Sequence, residues 1–203
     1  MEIISSKDNK KIKEARKLLT KKYRKNSYLI EGFHLLEEAL KAGRSIKQIF
    51  VEENKLTKLT EMIGSEKSLT DLSVNLVSKE VLKSLADSES PQGLIAEVTK
   101  IEEVIDFSAA KFLLLENVQD PGNVGTMIRT ADAAGFSAVI LLGETADIYS
   151  PKVMRSMQGS NFHLPLVRMA KEDCFAQLKK SGISILTTTL SANSVSYKVI
   201  NEP

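Results

Sequence analysis

The chain alternates short apolar runs with amphipathic stretches, and the spacing of each names an element. Ile12, Ala15, Leu18 and Leu19 fall on one face of a lysine-rich helix that Ser5 and Ser6 are suited to cap. "SYLI" (27–30) and "IKQIFV" (46–51) read as strands flanking a helix "FHLLEEALKAG" (33–43), which Gly43 closes. A helix near 55–63, a strand "SVNLVS" (73–78), a Ser78-capped helix "KEVLKSLAD" (79–87) and a strand "GLIAEV" (93–98) follow. The pattern predicts an α/β domain over residues 1–98. Residues 99–110 have mixed polarity and read as a linker.

A second alternation fills 111–203. It predicts a strand at 112–115, a helix near 123–134, a strand "AVILL" (138–142) and a turn-rich stretch at 143–152. A short helix, the strand-like "HLPLV" (163–167), a helix over 171–180 and a strand "ISILTTT" (183–189) complete it. Strands joined by crossover helices imply a parallel sheet with right-handed connections, which binds ligands at the carboxyl ends of its strands. "ENVQDPGNVG" and "TTTLSANS" fall at such ends, and the latter makes Thr188 and Thr189 candidate cofactor contacts.

In the helix after "DPGNVG", Asn123 is the expected N-cap, Gly135 the stop, and Val124, Met127, Ile128 and Ala131 the buried stripe. Arg129 falls off that stripe. The glycine turn lacks both the Lys-Ser/Thr of a phosphate-loop ATPase and the spacing of a dinucleotide fingerprint, so those two classes are set aside.

Charge adds a partner class. The net charge is only +2, yet residues 1–25 hold ten lysines and arginines against three carboxylates. Such a segment attracts polyanions by releasing phosphate counterions, which makes Lys10, Lys13 and Lys17 candidate RNA contacts. No apolar run approaches a membrane span, and the N-terminus lacks the apolar centre of a secretory signal, so a cytoplasmic protein is expected. Cys174, the lone cysteine, is read as core and has no partner for an intrachain disulfide. Neither His34 nor His163 has zinc-ligand spacing, so no metal is expected. His163 is read as a partly buried strand residue and His34 as a packing or surface residue.

"ENVQDPGNVGTMIRTADAAGFSAVIL" closely resembles the first motif of the SpoU/TrmH family of RNA ribose 2′-O-methyltransferases, and "SPKVMRSMQGSNFHLPL" is similar to the second. "YLIEGFHLLEEAL" and "SPQGLIAEV" resemble the small, ribosomal-protein-like RNA-binding domain that precedes the catalytic domain in many members. The resemblance implies a parallel-sheet α/β methyltransferase domain of the SPOUT class, of trefoil-knot type, with the knot region missing or incomplete in these 203 residues. It also implies S-adenosylmethionine as cofactor, rRNA or tRNA as substrate, and a homodimer. Asn123 and Arg129 match the first motif's active-site residues, while Arg155, Gly159 and Pro165 match the second motif. Gly159 is thereby a candidate cofactor contact and Arg155 a candidate RNA contact. Met157 stands where many members have Ser or Thr.

The family's third motif lies beyond the region matching "TTTLSANSVSYKVINEP", so the resemblance leads one to expect an incomplete cofactor pocket and weak cofactor binding in these 203 residues. The alternative reading is a noncatalytic RNA-binding protein that keeps the fold. Methyl transfer to a 2′-hydroxyl requires stabilisation of developing alkoxide charge, and the resemblance implies Arg129 for it. A guanidinium holds its proton above about pH 12, so we read Arg129 as a phosphate and oxyanion ligand and Asn123 as an orienting group. The proton acceptor stays open between Asp120 and Glu116.

Overall fold

The computed structural model describes residues 2–64, 72–108, 111–189, 191–192 and 194–196. The first half is built from α1 (Lys10–Lys17), β1 (Ser27–Glu31), α2 (Phe33–Lys41), β2 (Ile46–Glu52), α3 (Leu56–Ile63), β3 (Val74–Val77), α4 (Lys79–Leu85) and β4 (Leu94–Thr99). Its strands order as β1-β4-β2-β3, with β4 antiparallel to both β1 and β2 and with β2 and β3 parallel. Because side chains alternate across a sheet, Leu29, Phe50 and Ile95 join Ile12, Ala15, Val81 and Leu82 of α1 and α4 on one face. Tyr28, Ile30, Ile49, Val51 and Ala96 line the other, where α2 and α3 pack.

The second half holds β5 (Phe112–Glu116), α5 (Pro121–Ala133), β6 (Ala138–Leu142), α6 (Pro151–Met157), β7 (Leu166–Arg168) and α7 (Lys171–Lys180). Its three strands are parallel in the order β5-β6-β7, as the crossover pattern predicts. Ile140 and Leu142 face Cys174 and Leu178 of α7, with Ile105 and Phe107 from the stretch between the halves packed alongside. Leu115, Val139 and Leu141 face Val124, Ile128, Val153 and Met154 of α5 and α6. That apolar cluster runs on without a break into Tyr28, Ile30, Leu35 and Leu36 of the first half, so the two sheets share one core.

Four local expectations are corrected. The cap of α1 is Asn9, whose side chain accepts from the Lys11 N–H, and Ser6 instead accepts from Asp8. The cap of α5 is Asp120, whose Oδ1 accepts from the Asn123 N–H at 2.7 Å, with Pro121 opening the helix. Met127 is 40% exposed, and Gly125 takes its place on the buried stripe because α6 crosses there too closely for a side chain. The expected strand at 183–189 is absent from the described residues: Ile183 packs on the α7 core, but Ile185 and Leu186 are exposed. β-propensity without a ladder partner and a buried face does not make a strand. Residues 197–203 lie outside the described residues.

Candidate active site

The carboxyl ends of the three parallel strands are tied into one rim. At the end of β5, Asn117 adopts φ 56°, a left-handed conformation that asparagine tolerates, and its Oδ1 accepts from the Glu144 N–H at 2.8 Å. Thr145, only 4% exposed, places its hydroxyl 2.8 Å from the carbonyls of Leu115 and Leu142, donating to one of them at a time. Arg168 at the end of β7 donates to the carbonyls of Gly143 and Thr145 at 2.8 and 2.6 Å. Lys171 pairs with Glu116 at 2.6 Å. Sequence reading did not single out Asn117, Thr145 or Arg168, although an asparagine directly after a strand is the one signal that was available.

α5 springs from this rim. Asn123 lies exposed in its first turn and Arg129 lies exposed about 9 Å further along, by helical rise, with its Cα–Cβ bond tilted back toward the rim. The chain has six arginines. Arg16, Arg24, Arg44, Arg155 and Arg168 each bond to a carboxylate or a carbonyl. Arg129 alone makes no hydrogen bond or ion pair among the described residues. Of the two candidate proton acceptors, Asp120 is engaged as the cap and Glu116 by Lys171.

The second-motif residues lie elsewhere. Arg155 pairs with Asp87 of the first half at 2.9 Å, and its Nη1 is enclosed with no partner among the described residues. Gly159, at φ 99°, presses against α2, where an added Cβ would stand 3.1 Å from Glu38 Cγ. Both therefore serve the junction between the halves, and the positive φ together with the close contact to α2 accounts for a glycine at 159. Met157 is fully buried in the shared core. Thr188 and Thr189 are exposed and belong to no strand, which removes the geometric ground on which they were chosen.

His163 is likewise at the junction and outside any strand. Its Nδ1 lies 2.8 Å from Asp132 of α5 and its Nε2 2.8 Å from Glu38 of α2, and these two carboxylates, Asp132 first, raise its pKa above the ordinary value. Glu38 is correspondingly held below the usual carboxylate range by His163 and then Lys41. His34 Nε2 contacts the Gln158 carbonyl at 3.0 Å. On α1, Lys10, Lys13 and Lys17 are exposed, with Lys13 beside Asp8 and Lys17 beside Glu14. Among the described residues no group of His, Cys, Asp and Glu could hold a metal ion, and no helix is long and apolar enough to cross a membrane.

Residues 110–203 match the model of the SpoU rRNA Methylase family and residues 9–96 that of an MRM3-like substrate binding domain. The chain is 41% identical over 202 residues to RlmP of Bacillus subtilis, a 23S rRNA (guanosine(2553)-2′-O)-methyltransferase, covering 98% of this chain and 78% of RlmP. The chain belongs to the SpoU rRNA methylase family. Among solved structures, an rRNA methyltransferase from Sinorhizobium meliloti superposes with a TM-score of 0.84 at 30% identity, covering 98% of this chain and 77% of that one. Its AdoMet-bound form superposes with a TM-score of 0.83 over 98% and 76% of the two chains.

Proposed function

We propose that the chain transfers a methyl group from S-adenosylmethionine to a ribose 2′-hydroxyl of ribosomal RNA. The observation that carries this reading is the unpartnered Arg129 on α5, in a protein of the SpoU family whose other arginines are all engaged. An exposed guanidinium on the helix that leaves the rim, left unpaired among the described residues, is available for a phosphate and for oxyanion charge.

We assign S-adenosylmethionine to the carboxyl ends of the parallel strands, with the exposed Thr188 and Thr189 and the second-motif Gly159 as the residues that would hold it. When bound, it supplies a methyl group activated on a sulfonium. Arg129 then binds the phosphate beside the target ribose and stabilises the 2′-oxygen as its proton leaves. Asn123, exposed in the first turn, orients the ribose. Glu116 accepts the proton once Lys171 swings away, whereas Asp120 stays committed to capping α5.

In this reading, residues 1–98 bind RNA through Lys10, Lys13 and Lys17, residues 99–110 connect, and residues 111–203 carry the chemistry. Arg155 acts on RNA indirectly by holding the halves together. A homodimer, which the family resemblance implies, belongs to the same reading. A cytoplasmic protein is part of the same reading, supported by the likeness to the bacterial RlmP over 98% of this chain. Methyl-labelled S-adenosylmethionine, incubated with the chain and ribosomal RNA that is then digested to nucleosides, tests the reading. Label in 2′-O-methylnucleosides supports it. RNA binding with no transfer would favour a noncatalytic RNA-binding protein.

A further inference from the structure

The segment Lys21 to Lys25 packs four cations and one aromatic into five residues, and the sequence holds no carboxylate between Glu14 and Glu31. One of those cations points inward. Arg24 is 6% exposed, donates to the carbonyls of Leu18 and Leu19 at 2.7 and 2.9 Å, and pairs with Asp147 at 2.8 Å. Lys100 secures the chain just beyond: its N–H donates to the Asn26 carbonyl, while its ammonium sits 3.9 Å from the Tyr149 ring centroid. Asp147 and Tyr149 belong to the loop that leaves the rim after β6. The turn is therefore fastened to the same loop that walls the candidate active site.

With Arg24 anchored, the short 3-10 turn Lys21–Tyr23 faces outward. Tyr23 is 45% exposed and joins none of the apolar cores, whereas Tyr28 and Tyr149 pack together at 4.7 Å. The ammonium of Lys22 lies 4.8 Å from the Tyr23 centroid, and Lys17 at the end of α1 is within electrostatic reach of its phenol. Burying an aromatic ring is favourable, so a ring left in water and ringed by lysines has no packing role to explain it. Aromatic faces flanked by cations are the usual platform for unpaired bases, which stack on the ring while lysines meet the adjoining phosphates.

We propose that Tyr23 is a stacking platform for an unpaired base of the RNA substrate, with Lys21, Lys22 and Lys25 on the neighbouring phosphates. The proposal rests on the reading of the chain as an RNA methyltransferase and adds a base contact outside the catalytic centre. Through Arg24 and Asp147, a base held on Tyr23 is fixed relative to the rim, so the turn helps set which nucleotide reaches Arg129.

The protein contains no tryptophan, so Tyr23→Trp introduces a single indole at the platform, which is excited selectively to the red of tyrosine absorption. Titration with a single-stranded RNA oligomer of about ten nucleotides should quench it saturably, while inorganic polyphosphate, which has charge but no bases, should leave it nearly unchanged. Tyr23→Leu should weaken oligomer affinity about tenfold and Tyr23→Phe about twofold or less, since the ring carries the contact. The salt slope should be preserved because the lysines remain. Equal quenching by polyphosphate, no quenching by RNA, or wild-type affinity in a folded Tyr23→Leu variant would overturn the proposal. Failure of the enzymatic reading is separate: it would appear as absence of methyl transfer by the unmutated chain, whatever the tryptophan reports.

Discussion

Glu38 Oε2 lies 2.8 Å from Nε2 of His163, so a carboxylate of α2 and an imidazole beyond α6 clasp the two sheets together. Asp132 holds the other ring nitrogen, Lys41 stands on Glu38 at 3.1 Å, and His34 engages the Gln158 carbonyl alongside. The two carboxylates around His163 favour its imidazolium form more than water does and so raise its pKa. Its raised pKa means that its contribution to stability is full below the ordinary value of 6.5 and is lost as pH rises through the higher folded value. The lowered pKa of Glu38 works in the opposite sense: its contribution is present above 4.5 and fades as pH falls below it. Thermal melts of His163→Gln should therefore fall below wild type most clearly near about pH 6 and converge with it near about pH 9. A gap independent of pH would mean that the ring acts only through packing.

A second fastening, between Arg24 and Asp147, is nearly dry: the side chains are 5% and 17% exposed. Removing one member of such a pair strands the other, so Asp147→Ala should cost about 3 kcal/mol in unfolding free energy. The double replacement Arg24→Met with Asp147→Leu should cost less than the single change. Urea denaturation measures both. A harmless Asp147→Ala would show that the Leu18 and Leu19 carbonyls suffice for Arg24.

The crossing of α5 and α6 depends on Gly125. A Cβ there would meet the Ser156 side chain and approach the Val153 carbonyl and the Met157 nitrogen at 2.9 and 3.0 Å. Alanine gains about 1 kcal/mol in helix propensity, but the overpacking costs as much or more, about 1–3 kcal/mol, and here it falls on backbone atoms that cannot step aside. Gly125→Ala should lower the urea midpoint, and a raised midpoint would contradict the close crossing.

Reversing the charges of Lys10, Lys13 and Lys17 should weaken RNA binding and flatten its dependence on salt, because fewer cations then displace counterions from the phosphates. Lys13 and Lys17 are exposed enough that their partners Asp8 and Glu14 do not cancel them in water. Filter binding across a salt series reads both quantities. An unchanged slope would remove α1 from the RNA interface.

Most elements were legible because their signals are local: short apolar runs give β2 and β4, Ser78 starts α4, and Gly43 stops α2. Arg129 was legible for the same reason, as a long cation off an apolar stripe. What escaped was set by tertiary contact. Met127 and Gly125 exchange their expected places because α6 approaches one side of α5, and nothing local to either residue encodes that approach. Arg155 and Gly159, singled out by the second motif, meet Asp87 and Glu38 across the junction, and His163, read as a strand residue, meets Glu38 of α2 there instead. The segment 183–189 has strand composition, but strand formation needs a neighbour, which a propensity run does not reveal.

The central claim is that the Arg129 guanidinium acts on the reacting ribose and its phosphate. Single-turnover methylation of ribosomal RNA by Arg129→Lys, with saturating RNA and cofactor, tests it most directly. Lysine keeps the charge and much of the stem but lacks the planar fork, so the rate of 2′-O-methyl formation should fall by about 100-fold or more, with little change in melting temperature. A folded Arg129→Lys variant that methylates at nearly the wild-type rate would contradict the claim and reduce Arg129 to a solvated residue on the surface of α5.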